Sequence, residues 1–380
     1  MEKKLKIKTI NNNEEEYENK YEKQEQLNTN DFASRYISDT DTITIWHKIG
    51  KTCLYILVAL TPLFFLPLTI APLEINKQIF AGLLVVIAFI CYLIDSFETG
   101  KIIYPKSRIT LAVAAVLVVF GVSSAFSGVK SASLYGNLVQ PDSFMSFIIY
   151  ALAFFLTAVF FQTTPASPAG KSEVVRLGFW FFIGLAAATV LPLLQVLGRQ
   201  IGWIGKITGK IGLINTVGGF LDSAIFAAFG LVMVIAVLFN FELAKKKKII
   251  LSVLGLFLLI QLIIFNYSFI WLILALMILL LAAHKFIATS KVNSFLIIIV
   301  SLFVFFGIIG SSFPALVQLP LEVRPSFSAT YHVIKQSWNL GRFFIGSGPA
   351  TFGYDWTLYR PIELNQTNIW SLGFNQGFSF

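Results

Sequence analysis

The sequence has little charge and little sulfur. Of its 380 residues only 13% are charged and 56% are hydrophobic, where a soluble domain carries roughly 25% charged residues. That deficit excludes a soluble globular protein. The two cysteines, Cys53 and Cys91, both fall inside apolar runs. They build no disulfide framework, and no Cys/His spacing resembles a metal site. Four methionines stand against 38 phenylalanines, so aromatic bulk fills the apolar segments. "GSGPATFG" contains G-x-G but no lysine at a phosphate-loop position, so it is no nucleotide motif. No metal and no other cofactor is expected. There is no sequence-visible voltage sensor, pore filter or inverted repeat, which disfavours channels and secondary transporters.

Long apolar runs are abundant. A membrane span needs about 20 mainly apolar residues. Nine runs approach that length: 52–72, 78–94, 109–126, 144–161, 177–197, 220–241, 249–265, 269–283 and 294–313. The second and eighth are short, and Pro62, Pro67 and Pro72 punctuate the first. The expected fold is all-α: a polytopic membrane bundle of about nine transmembrane helices over 51–313, followed by a segment, 314–380, carrying an amphipathic helix. Residues 1–50, with "NNNEEEYENKYEKQEQLNTND" at their centre, are expected to form a disordered cytoplasmic tail. They are too long and polar to be the basic head of a cleavable signal.

The basic residues orient the bundle. With the N-terminus inside, the inner loops hold Lys101, Lys106, Arg108, Lys171, Arg176, Lys245, Lys246, Lys247, Lys248, Lys285 and Lys291. The outer loops hold Lys77, Lys130, Arg199, Lys206 and Lys210. The positive-inside rule selects this orientation, and an odd number of spans puts 314–380 outside. The net charge of +9 reports this topology, and no nucleic acid is expected as a partner. Membrane lipids are.

Chemistry is sought on the outer face. The loop 198–220, "GRQIGWIGKITGKIGLINTVGGF", sets Arg199, Lys206 and Lys210 against the charge rule. It reads as an interfacial helix with snorkelling lysines, or as a cationic site for a lipid-linked pyrophosphate, held by charge-assisted hydrogen bonds. Asp222 lies just inside the sixth span beside Gly218 and Gly219. A carboxylate there faces a cavity, or stays at the water boundary beside a loop lysine. "NYSFIW", 266–271, is a tight turn between the seventh and eighth spans.

The last outer segment is the most informative. "RPSFSATYHVIKQSW", 324–338, reads as a helix with Pro325 in its first turn. Phe327, Tyr331, Ile334 and Trp338 recur at helical spacing as one aromatic stripe, expected to lie on the membrane or over the bundle mouth. Gly346, Gly348 and Pro349 then demand a tight turn with unusual backbone angles. Arg342 precedes it, and Phe352, Tyr354, Trp356, Tyr359 and Arg360 follow. Aromatic faces with planar hydrogen-bonding side chains suit sugar rings, and equally suit a headgroup belt.

These residues resemble the O-antigen ligase and O-antigen polymerase-like family. The resemblance rests on Arg324 opening a helix ahead of "GSGPATF" and its Trp/Tyr-rich continuation. "SGVKSASLYGNLVQPDSFMSF", 127–147, is similar to the family's first outer loop, and "GKIGLINTVGGFLDSAIFAAFGL", 209–231, to its basic-x-Gly approach to a span. The resemblance implies a metal-independent membrane glycosyltransferase at the outer face of the bacterial cytoplasmic membrane. Its donor is a polyprenyl-pyrophosphate-linked glycan, and its acceptor a glycan, lipid or protein. Carried over by position, Lys210 and Arg324 stand at the family's two basic positions for the pyrophosphate, and Asp222, read from its place in the sixth span, is the third expected catalytic residue. Arg199, Lys206, Arg342, Tyr354, Trp356, Arg360 and Asn365 are the expected substrate contacts.

Two departures matter. "NYSFIW" lacks the arginine the family often places there, and no histidine follows His332, where the family has a base. Asn365 and Asn368 cannot take a proton at neutral pH. Three readings stay open: Glu363, Asp355 or another carboxylate is the base; the acceptor differs; or the chain is an inactive member. A flippase or transporter of lipid-linked glycans is the alternative function. It should carry charges along its span interiors, whereas here they cluster at the outer ends. The apolar ending "SLGFNQGFSF" would in the family lead into further helices.

Overall fold

The structure, a computed structural model, describes residues 44–378 apart from 67–72, 106, 137–141, 162–167, 201–215, 242, 290–293, 310–322, 339–343 and 368–370. The helices are α1 Ile45–Leu60, α2 Leu73–Thr99, α3 Arg108–Ala125, α4 Lys130–Tyr135, α5 Phe144–Phe160, α6 Pro168–Gln200, α7 Phe220–Asn240, α8 Lys245–Phe265, α9 Ser268–Thr289, α10 Ser294–Ile309, α11 Phe327–Ser337 and α12 Phe352–Tyr359. A short 3₁₀ helix, Ile362–Gln366, follows. Among the described residues there is no strand. Six helices are long and apolar enough to cross a membrane, and two shorter apolar helices accompany them. The chain is an all-α, multi-pass membrane helix bundle.

Each of the nine apolar runs falls on a helix, but the ends differ. α1 begins at Ile45, inside the stretch expected to be tail, and stops at Leu60 rather than continuing to Pro72. Pro62 has no N–H with which to extend the ladder and its ring crowds the preceding turn. α2 takes in Glu74, Asn76 and Lys77 at one end and Asp95 and Glu98 at the other. Its 27 residues span roughly 40 Å at 1.5 Å per residue, so the second span is long. Glu74 and Glu98 reach water while their backbone stays helical, whereas Asn76 is buried.

Two cores hold the bundle. In one, α1, α2 and α5 enclose Leu54, Val85, Ala88 and Leu156. In the other, α7 to α10 and part of α6 enclose Leu185, Leu258, Trp271 and Ile278. Lipid supplies no hydrophobic drive between helices, so close packing carries the association. Gly184 of α6 shows how close. A Cβ there would overlap the carbonyl oxygen of Ala59 on α1. α3 lies at the edge and buries only Ser124.

A small third core caps one end. Ala329 and Val333 of α11, Trp356 of α12 and Phe374 pack together. α11 departs from expectation in two ways. Its N-cap is Ser326, whose hydroxyl accepts the Ala329 N–H at 3.2 Å, and Pro325 lies before the cap rather than in the first turn. The face it buries carries Ala329, Thr330 and Val333. The aromatic stripe points away, with Phe327, Tyr331 and Trp338 exposed. The chain end folds back: Phe374 is buried and the Phe378 N–H donates to Thr330 Oγ1 at 2.8 Å.

Candidate functional site

A cavity of about 830 Å³ opens at the capped end. Its wall joins the start of α2 (Glu74), the residue before α5's N-cap (Asp142), the start of α7 (Gly218, Gly219, Asp222), the approach to α11 (Arg324, Pro325) and the start of α12 (Thr351, Asp355). Five helix beginnings therefore converge on one space. Helix beginnings carry unpaired N–H groups and partial positive charge. First-turn acids complement that charge, which accounts for Glu74, Asp222 and Asp355. The carboxylates of this wall gather because the helix beginnings do.

Asp222 illustrates the point. Its Oδ2 accepts the N–H of Gly219 at 2.8 Å, closing the start of α7. Behind it, Lys77 Nζ donates to the carbonyl of Val217 at 3.1 Å and lies within electrostatic reach of Asp222 and Glu74. Lys77, expected only as an outer-loop charge, thus ties α2 to the approach of α7. One turn into α7, Ser223 accepts from Gln261 Nε2 of α8 at 2.9 Å. Both residues are buried beneath the cavity end.

The glycine turn has a seat. Ser123 Oγ donates to the carbonyl of Ile345 at 2.6 Å, and Ser127 Oγ to that of Ser347 at 2.7 Å. Ser123 lies in the last turn of α3 and Ser127 two residues beyond its end, both more than 200 residues upstream. Gly346 and Gly348 have φ of 73° and 105°, the left-handed region that glycine enters without penalty. A Cβ on Gly348 would lie 2.5 Å from Ser133 Oγ and 3.0 Å from Ser127. The turn is glycine both for its angles and for its approach. The adjoining Ser347 hydroxyl donates to Asp355 Oδ2, and Thr351 Oγ1 lies 3.0 Å from Ser347 Oγ.

Of the expected site residues, Arg324 and Asp222 share the cavity wall, though 102 positions apart. Lys206, Lys210 and Arg342 lie outside the described residues. Arg199 falls in the last turn of α6 and Asn365 in the 3₁₀ helix, where only their backbones are described. Trp356 is buried against Phe374, ring centroids 5.0 Å apart and nearly perpendicular. It belongs to the cap's core and offers no face to the cavity. Tyr354 is exposed and Arg360 half-buried, and neither lines the cavity. Glu74, Asp142, Ser347 and the serine seat were not legible as site residues. Their only signal was first-turn acidity and the serine density of 123–133. Among the described residues no three metal-ligating side chains come together.

Fold and site together define a multi-pass membrane protein with a capped cavity of mixed polar and apolar lining at one end. Compared with protein-family models, curated proteins and solved structures, the chain matches none of them.

Proposed function

We propose that this chain transfers a glycan from a polyprenyl-pyrophosphate carrier to an acceptor at the outer face of the bacterial cytoplasmic membrane. The carrying observation is that Arg324 shares one 830 Å³ cavity with Asp222 and Asp355, among converging helix beginnings. A volume of this size suits a ligand of several hundred daltons. Pyrophosphate leaves with developing negative charge. A fixed guanidinium and oriented backbone N–H groups stabilise that charge without reorganising. Sugar hydroxyls are donors, and the carboxylates of the wall are acceptors. Trp338 adds an exposed aromatic surface at the rim. In this reading the capped end is extracytoplasmic, Lys206, Lys210 and Arg342 add further cations, and the lipid tail lies along the apolar flank of the bundle.

Replacing Arg324 with alanine tests the reading. In cells whose own copy is deleted, the variant is expected to lower polymer transfer by about 10²–10³-fold, measured on surface polysaccharide. Undiminished transfer by an Arg324→Ala protein present at normal level in the membrane would remove Arg324 from the site.

A further inference from the structure

Tyr354, Trp356 and Arg360, the expected sugar contacts, lie off the cavity wall. The wall carries that chemistry in other residues. Its three described aromatic side chains are Trp338, Phe352 and Phe374, and they differ in what they show. Phe374 is 9% exposed and sits edge-on to Trp356. Phe352 packs into the same small core, 6.2 Å from the Trp356 ring. Trp338 is 43% exposed. It caps the end of α11, where its backbone N–H donates to the Ile334 carbonyl, so a helix fixes its place.

Planar amides stand on the same wall. Asn375 is half-buried and Gln376 exposed. Their segment is laid against α11: the Phe378 N–H donates to Thr330 Oγ1, and Phe374 joins Ala329 and Val333 in the cap's core. An indole offers a broad apolar face, and each amide both donates and accepts. A pyranose presents the complement, with C–H groups over its face and hydroxyls around its edge. A headgroup belt asks only for the aromatic ring. An aromatic ring with two amides inside one cavity suits a sugar.

Position limits which sugar. Arg324 lies ahead of α11 and Trp338 at its end, with the 11 helical residues Phe327–Ser337 between them. That length is about 16 Å at 1.5 Å per residue. Reacting atoms must approach to about 3–3.5 Å. A diphosphate held by Arg324 therefore sets the breaking bond far from the indole.

We propose that Trp338, Asn375 and Gln376 form a subsite for a sugar unit remote from the bond that the transfer breaks. The apolar face of that unit stacks on the indole, and its hydroxyls bond to the two amides. The subsite rests on the transfer reading, which supplies its glycan.

The test uses the full chain in lipid nanodiscs and the oligosaccharides released by mild acid from the lipid-linked glycan pool of cells lacking it. Binding is read by ligand-observed NMR, and turnover separately with the intact pool. Trp338→Ala is expected to weaken oligosaccharide binding by about tenfold or more, as loss of an aromatic anchor does. In turnover it should raise the donor KM and leave kcat within about threefold, as loss of uniform binding does. Trp338→Phe keeps a ring and should bind within about threefold of the wild type. Asn375→Ala combined with Gln376→Ala should weaken binding by about tenfold, so the result does not hang on the folding of one variant. Wild-type affinity in Trp338→Ala or in the double variant overturns the subsite. An equal loss in Trp338→Phe, or a lowered kcat with KM intact, assigns Trp338 to the shape of the cap and also overturns it. Binding by the wild type without turnover overturns the transfer reading alone, and the variants still decide the subsite. A wild-type chain that neither binds the oligosaccharides nor turns over the pool overturns both.

Discussion

At the end of the bundle opposite the cavity, polar groups are paired across helices. Thr44 and His47 of the α1 start meet Asp95 of α2. Trp46 Nε1 donates to Glu98 at 2.9 Å, and Lys51 pairs with Glu173 of α6. At the cavity end, Arg324 and the carboxylates of Glu74, Asp142, Asp222 and Asp355 stand around 830 Å³ of open space. Both ends gather charge at helix termini, so composition alone does not separate them. What separates them is closure. Pairing draws α1, α2 and α6 together at one end. At the other, α11, α12 and the glycine turn line an open cavity together with the starts of α2 and α7. The first end should answer to substitution in stability, and the second in activity.

The largest expected effect is at the glycine turn. Gly348→Val places a branched side chain at φ 105° and against Ser133 and Ser127. Non-glycine residues held in such backbone regions cost about 1–3 kcal/mol, and here the contact adds to it. The turn is expected to leave its seat and carry Ser347 and Asp355 with it. The proposed glycan transfer should fall by about 100-fold or more, a loss on the scale that one positioned catalytic group commands, while the detergent melting temperature moves by only a few degrees. A large fall in melting temperature would show that the cap supports the whole bundle and erase the contrast between the ends.

Ser127→Ala is the milder form of the same break. It removes the hydroxyl that holds the Ser347 carbonyl at 2.7 Å, a hydrogen bond whose net worth is about 0.5–1.5 kcal/mol. A looser turn should lower transfer by about fivefold to tenfold, roughly the factor that 1–1.4 kcal/mol commands. Protease sensitivity of the segment after α12 should rise in parallel. Transfer that stays at the wild-type level in Ser127→Ala would mean that the seat does not set the shape of the cavity wall.

The unequal legibility of the two ends has a physical cause. Apolar length marked nine helices, six of them long enough to cross a membrane, since a bilayer fixes how long such a run must be. The ends of α2 were missed because Glu74, Lys77, Asp95 and Glu98 look like loop residues to an apolar count, although their backbone continues the helix. α12 was missed because "FGYDWTLY" is only eight residues long and follows a glycine turn directly, although Phe352, Trp356 and Tyr359 do fall at helical spacing. Its order comes from Trp356 packing on Phe374. The aromatic stripe of α11 was legible, but which face packs was decided by a partner 45 residues later. Arg324 and Asp222 stood out as charges at the borders of spans. Ser123 and Ser127 did not, because a serine's role lies in what it touches, and these touch a turn over 200 residues away.

The smallest effect sharpens the comparison most. Lys51 and Glu173 form the ion pair between α1 and α6, with side chains 14% and 32% exposed, and Lys51 also lies over the Phe161 ring at 5.4 Å. Lys51→Met keeps the packing of the stem and removes the charge. Glu173 has enough contact with water to be hydrated once its partner is gone, so the loss should be near the upper range for exposed pairs, about 1 kcal/mol. A double-mutant cycle with Glu173→Gln isolates the pair term, provided neither single change makes a new contact. Transfer should be unchanged in all three variants, because no described contact links this pair to the cavity wall and about 40 Å of α2 separates the two ends. If transfer instead falls in step with stability, closure at one end is setting the width of the cavity at the other, and the two ends form one mechanical unit.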